Sequence, residues 1–349
     1  MTDRQRWESI KRHLAEKDDA VRREIATAPQ ATLTLQAVLE TKGEVISASV
    51  GPQGQLLVAS SSSEPTATDV GQDEGPTWWR FPNGHSTQPY PVVLDVLTSS
   101  SRTSLKIPDL PLVKATFQPM PGGEWLAVSS RARFNDGVPD HNAVVFDPVG
   151  SLLHTFCIGD AISHVQVSPS GSIRVAYFDE GVFRTWGGPT GSPNPSSAGL
   201  SCWSRLGTKE WDFVVPPGLG PIYDCYSLNV VNETAWASYY DGFPIVRIQQ
   251  DRSISAWPSG EPVHALAIDG GRVVLVGGNS RAHDRLMLFE IDGSALTKVA
   301  TYRLVLPDGT PVPERPHEDD AGWIVEARGS VIHVADSRWY TLDVSAFGR

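Results

Sequence analysis

Sulfur is scarce in this chain of 349 residues, with three cysteines and three methionines. Cys157, Cys202 and Cys225 are odd in number, far apart and set in apolar, strand-like surroundings. They read as buried free thiols in a reducing compartment, which points to the cytoplasm. Nothing beside any of them supports a cysteine nucleophile. Long apolar runs are missing as well. No stretch of roughly 18 apolar residues occurs, so no transmembrane helix is expected. The first residues, MTDRQRWESIKRHLAEKDDAVRREIA, carry charge throughout and lack the apolar segment of a secretory signal. Basic charge is in deficit, with 29 Lys and Arg against 40 Asp and Glu and a net charge of −11. A nucleic-acid binder needs a basic surface to displace counterions from phosphate, and an anionic membrane attracts basic segments. Neither partner is expected.

Turn residues are abundant. The 31 glycines and 27 prolines make up about one residue in six, which favours short strands over long helices. The exception is the start. Trp7, Ile10 and Leu14, then Val21 and Ile25, recur at helical spacing, Glu8 and Arg12 form an i,i+4 pair, and Pro29 stops the pattern. Residues 1–30 therefore read as a helical extension and 31–349 as one all-β domain.

Within that domain one unit recurs: an apolar strand, a turn rich in Gly and Pro, and a second apolar strand. It appears as VISASVGPQGQLLVASS (45–61), LVKATFQPMPGGEWLAVSS (112–130) and ISHVQVSPSGSIRVAYF (162–178). Weaker copies start near 225, 263 and 322, giving a mean spacing of about 55 residues, in the range of four-stranded propeller blades. A second hairpin follows most units; VVFDPVGSLLHTF (144–156) and SCWSRLGTKEWDF (201–213) match position for position. The last unit lacks an outer strand, and TLTLQAVLE (32–40) is available to supply it from the other end of the chain. The expectation is a six-bladed β-propeller closed by its N- and C-terminal strands, or seven-bladed if residues 60–90 hide further strands.

The turn Ser168-Pro169-Ser170-Gly171, with looser forms at Gly51–Gly54 and Gln118–Gly122, resembles the repeats of TolB-like and WD40-like β-propellers. The resemblance implies a fold and no particular activity. No motif of the calcium-dependent lactonases, the strictosidine-synthase-like enzymes or the sialidases can be placed on the chain.

In such a blade the long connections, 61–90, 130–141, 179–199, 277–284 and 306–321, fall on one face, called the top here. Binding residues concentrate on loops held by a rigid frame. The expected function is binding of a small ligand or a protein on that face by a monomer, with Trp78, Trp79, Arg80, Arg131, Arg133, Trp186 and Arg281 as contacts. The alternative is a hydrolase, lyase or isomerase using His141, His283 or His317 with a neighbouring carboxylate. The cofactor is unknown. A divalent metal held by His85 and Asp320 is one option, although no HxH or HExxH spacing pairs any of these histidines. Acids also recur just before each first strand, at Glu44, Asp109, Asp160, Asp224, Glu261 and Asp320. In a closed ring they would encircle the top mouth of the channel and favour a cation, or act as plain turn formers. His164, His264 and His333 fall inside strands and read as packing residues.

Overall fold

The tight turns set the register of the blades. In Asp147–Ser151 the Asp147 carboxylate accepts from the Val149 and Ser151 amides, and Gly150 takes φ +91°. Ser204 does the same for Leu206 and Thr208, with Gly207 at φ +80°. The Ser168–Ser172 turn keeps the same backbone bonds, with Gly171 at φ +91°, but there the Ser170 amide donates to the Glu233 carboxylate of the next blade. A left-handed fourth residue lets a short loop reverse the chain without splaying its strands, and glycine reaches that conformation without a Cβ clash.

The computed structural model describes residues 3–65, 84–135, 138–183, 194–278, 282–314 and 322–347. These form an N-terminal helix, α1 (Asp3–Thr27), six blade sheets and a two-stranded ribbon of Phe134–Asn135 with Val138–Pro139. Blade 1 comprises Glu44–Val50, Leu56–Ser61, His85–Leu97 and Arg102–Leu112. Blade 2 comprises Thr116–Pro119, Trp125–Val128, Ala143–Phe146 and Leu152–Phe156. Blade 3 comprises Ile162–Val167, Ile173–Tyr177, Leu200–Trp203 and Lys209–Asp212. Blade 4 comprises Asp224–Val231, Thr234–Tyr240, Pro244–Ile248 and Ile254–Pro258. Blade 5 comprises Ala265–Asp269, Arg272–Val276, Arg285–Asp292 and Ala295–Val305. Blade 6 comprises Ile324–Arg328, Val331–Ala335 and Arg338–Asp343, and its fourth strand is Thr34–Val38 from the other end of the chain.

The fold is a six-bladed β-propeller. One join was not foreseen. Gln30–Thr32 pairs in parallel with Arg303–Val305, so blade 5 has a fifth strand and the same short segment ties blades 5 and 6 together. Ala31 and Leu33 are buried there against Leu304, Val312 and Tyr340. Helix α1 lies against the outer strand of blade 5, where Glu24 accepts from Lys298 (2.7 Å) and Thr301 (2.6 Å). Ile25 is buried at that contact, whereas Trp7, on the same expected apolar stripe, is exposed.

Side chains of the innermost strands stitch neighbouring blades. Ser47 and Ser49 donate to the Ala115 and Phe117 carbonyls of blade 2, at 2.5 and 2.7 Å. Gln166 donates to the Leu228 carbonyl and accepts from the Val230 amide of blade 4. Asn229 donates to Leu266 of blade 5 and exchanges hydrogen bonds with Gly329 of blade 6. Arg328 reaches from blade 6 across the channel to the Gln166 side chain and the Val167 carbonyl of blade 3. Glu326 accepts from the Val50 amide of blade 1 (3.1 Å) and faces a water-sized chamber of about 50 Å³ beside His164 and Gln166. Burial pushes the Glu326 carboxyl up to about 7 and the Arg328 guanidinium down to about 10, so desolvation outweighs their mutual attraction.

Two of the three histidines expected inside strands pack there: His164 bonds the Tyr226 carbonyl and His333 is buried in a stack on Trp339. His264 instead precedes the first strand of blade 5, is exposed and bonds the Gly278 carbonyl. All three cysteines are free; Cys202 and Cys225 are buried and Cys157 partly so. Among the described residues no helix is long and apolar enough to cross a membrane.

Candidate functional site

Strand alternation places the second-to-third-strand loops and the blade-to-blade links on one face. Where blade 3 meets blade 4, that face holds a pocket of about 330 Å³ lined by Asp179, Phe183, Tyr223, Asp224, Tyr226 and Tyr240. The inner hairpin of blade 4 builds one side. Asp224 opens its first strand and Tyr240 closes its second, directly opposite in the pairing register, and the Tyr223 amide donates to the Tyr240 carbonyl (3.0 Å). Tyr226 lies two residues beyond Asp224, and the intervening Cys225 is buried on the other face. The opposite side comes from a short helix, α2 (Asp179–Phe183), directly after the second strand of blade 3.

The rings support one another. Phe183 stacks on Tyr223 with centroids 5.2 Å apart. Phe243 meets Tyr226 and Tyr240 edge-on, at 5.4 and 5.8 Å. Phe243 has φ +47°, a conformation costing a side-chain-bearing residue on the order of 1 kcal/mol. The Ser259 hydroxyl fixes its carbonyl at 2.5 Å. A strained aromatic in a short loop is retained here in the position that buttresses two ring walls.

Burial, and then the neighbouring Asp179, push the Asp224 carboxyl up to about 6. The Tyr226 phenol is raised by burial and by the same carboxylates. A raised acid binds its proton more tightly in the folded chain than in the unfolded one. Stability therefore falls as pH climbs from the ordinary value of 3.8 through about 6, and the full penalty stands above that. Partial solvation of Asp224 reduces this to about 1–2 kcal/mol at neutral pH. Asp224→Asn is expected to raise the melting temperature by about 2 °C near pH 7.5. No difference from the wild type is expected below about pH 3, where the carboxyl is protonated in the folded and unfolded chains alike. Scanning calorimetry across pH reads both ends.

The residues expected from sequence are distributed differently. Arg131 is buried, with its guanidinium in ion pairs to Asp160 (3.2 Å) and Glu180 (2.7 Å) and over the Phe178 ring. It anchors the loop from which α2 springs and offers no open contact surface. Arg133 is half-buried, and its amide bonds the Asp140 carboxylate. His141, on blade 2, is exposed and bonds the Thr155 hydroxyl (2.7 Å). His283, on blade 5, bonds the Val312 carbonyl (2.8 Å). Blades 2 and 5 face each other across the ring, so the fold does not bring these two histidines together. His85 sits at the top of blade 1, in register with Leu112. Trp78, Trp79, Arg80, Trp186, Arg281, His317 and Asp320 lie outside the described residues. Among those described, no group of three or more His, Cys, Asp or Glu side chains is placed to hold a metal ion.

The recurring acids have separate fates. Asp160 bonds the Ala132 amide and Arg131, Glu261 bonds Arg285 (2.6 Å), and Asp224 turns into the aromatic pocket. Asp109 lies inside the outer strand of blade 1 and Glu44 is exposed. The pocket tyrosines were missed although a signal was present. Tyr223, Tyr226, Tyr239 and Tyr240 are half of the chain's eight tyrosines, gathered at the ends of one hairpin.

No family model matches the chain, and no curated protein matches it. Solved structures do. Virginiamycin B lyase from Staphylococcus aureus matches at 10% identity and TM-score 0.44, over 90% of this chain and 99% of that one. The β-propeller domain of Cps50 (Swd1) from Myceliophteria thermophila matches at 8% and 0.48, over 89% and 99%. XC5397, a gluconolactonase from Xanthomonas campestris, matches at 12% and 0.41, over 87% and 99%. These proteins differ in activity, and at such identities nothing about activity is carried over.

Proposed function

We propose that this chain is a ligand-binding propeller whose site is the top-face pocket between blades 3 and 4, taking a small molecule or a side chain of a protein partner. The observation that carries this reading is the convergence of four aromatic rings and two carboxylates around one concavity. Its volume falls at the small end of ligand pockets, and its walls combine apolar surface with a few oriented polar groups, as such sites do. The backbone strain at Phe243 and the raised Asp224 carboxyl both destabilise the empty fold, which suits residues kept for binding. The free thiols and acidic charge support a cytoplasmic protein without a nucleic-acid partner, and we take the monomer as the working unit.

The test is retention of small molecules from cell extract, followed by native mass spectrometry of wild-type protein and of Tyr240→Ala. Tyr240 is 47% exposed, so its truncation leaves the core intact. Loss of one ring wall is expected to lower ligand occupancy about tenfold. Equal retention by the two proteins would place binding elsewhere.

A further inference from the structure

The reading of this pocket as a binding site leaves its ligand unspecified, and the chemistry of its lining narrows it. Rings supply four of the six residues: Phe183, Tyr223, Tyr226 and Tyr240. An aromatic face carries negative charge density and attracts a cation held over it. The other two are carboxylates. Asp179 and Asp224 lie near enough that the charge of one resists ionisation of the other. None of the six is Lys, Arg or His. Two acids brought together without a basic partner among the described lining residues, at the rim of apolar rings, form a place of negative potential that a positive group would relieve. An anion would be repelled, and a neutral ligand would leave the Asp179–Asp224 repulsion in place.

The size and surfaces point further. A hydrated metal ion prefers oxygen ligands on several sides, and ring faces offer none. A bare primary ammonium keeps its shell of water and gains little from phenyl surface. An alkylated ammonium is different. Its methyl groups bury against the rings while its diffuse charge meets both the ring faces and the carboxylates. We propose that the pocket binds a small free organic cation with an alkylated ammonium head, and that Asp224 must be ionised for it to bind. This inference rests on the pocket being the binding site. The groups facing Asp224 are the Asp179 carboxylate, the phenols of Tyr226 and Tyr240 and the buried Cys225 thiol. Burial raises both the Cys225 thiol and the Tyr226 phenol, which leaves the Asp224 carboxyl to take up the proton in mild acid.

Isothermal titration calorimetry of the full chain provides the test. The probes are choline and its uncharged isostere 3,3-dimethylbutan-1-ol, titrated into wild-type protein, Tyr240→Ala and Asp224→Asn near pH 7.5 and near pH 5. Choline is expected to bind the wild type at least about tenfold more tightly than the isostere near pH 7.5. That preference should shrink several-fold near pH 5, and Asp224→Asn should flatten the pH response while still admitting the isostere. Equal affinity for choline and the isostere, both weakened by Tyr240→Ala, would overturn the cation proposal while the pocket stands as a binding site. Choline binding that Tyr240→Ala leaves unchanged would overturn the pocket itself. Absence of any choline heat at about 10 mM, well beyond a weak millimolar affinity, would also overturn the cation proposal.

Discussion

Deleting residues 1–38 is expected to abolish the soluble fold, whereas deleting residues 1–28 is expected to leave it folded with a modest loss of stability. The longer deletion removes Thr34–Val38, whose pairing with Arg338–Thr341 supplies the outer strand of blade 6. It also removes Gln30–Thr32 from blade 5 and the buried Ala31 and Leu33, and leaves Tyr340 on an open sheet edge. A closed ring distributes its contacts so that losing one strand loosens two neighbouring blades. The cost is therefore expected to match a large part of a domain's stability, on the order of 5–10 kcal/mol. The shorter deletion takes away the buried Ile25, the hydrogen bonds from Lys298 and Thr301 to Glu24 and the 3.6 Å ion pair of Glu24 with Arg285, about 1–3 kcal/mol. Circular dichroism melts and size-exclusion profiles of the two truncations decide. A folded, monodisperse 1–38 deletion would show that closure by the N-terminal strand is dispensable.

Arg328→Met is expected to destabilise the chain by about 3–5 kcal/mol, because it leaves a buried partner uncompensated. The guanidinium ties blade 6 to Gln166 and Val167 of blade 3, so its loss uncouples opposite sides of the ring. It also leaves the Glu326 carboxylate without its nearest opposing charge, and the carboxyl, already raised to about 7, takes up a proton. The double variant Glu326→Gln/Arg328→Met removes the carboxyl that would otherwise have to be protonated and keeps an acceptor for the Val50 amide. It is expected to be no less stable than Arg328→Met alone, a coupling of at least about 1 kcal/mol in a double-mutant cycle by urea unfolding. Additivity within about 0.5 kcal/mol would mean that the two groups act independently.

Sequence pattern located the blades wherever turn chemistry is explicit. The Asp147–Ser151, Ser168–Ser172 and Ser204–Thr208 turns sit in the positions their Asp, Ser and Gly residues dictate. It misplaced the start of blade 2 by a few residues. The outer strand of blade 1 runs on to Leu112 through Pro108 and Pro111, and the inner strand of blade 2 begins only at Thr116. An outer edge strand has no ladder to feed on one side, so proline is tolerated there and does not mark the turn it suggests. The parallel Gln30–Thr32 pairing left no trace in the pattern, because three residues are too few to show a period.

The site was half legible. Alternation predicted the face on which α2 and the Tyr223–Asp224 link meet, and Asp224 stood out as one of a recurring set, whereas the loop expected over 61–90 gives way to strand from His85. Its meaning depended on the register that sets Tyr240 opposite it and on α2 carrying Phe183 onto Tyr223. Both are contacts between segments, which residue spacing does not encode. Arg131 shows the converse. On a top loop it reads as a contact residue, yet Asp160 and Glu180 occupy it fully.

The central claim is that the aromatic pocket between blades 3 and 4 holds an alkylated ammonium. Its most direct test is a crystal structure of the protein soaked with tetramethylarsonium, a cation of tetramethylammonium shape whose arsenic scatters anomalously. The account predicts one dominant anomalous peak enclosed by Phe183, Tyr223, Tyr226 and Tyr240, beside Asp179 and Asp224. A pocket filled only by water, or a dominant peak at any other place on the propeller, would contradict it.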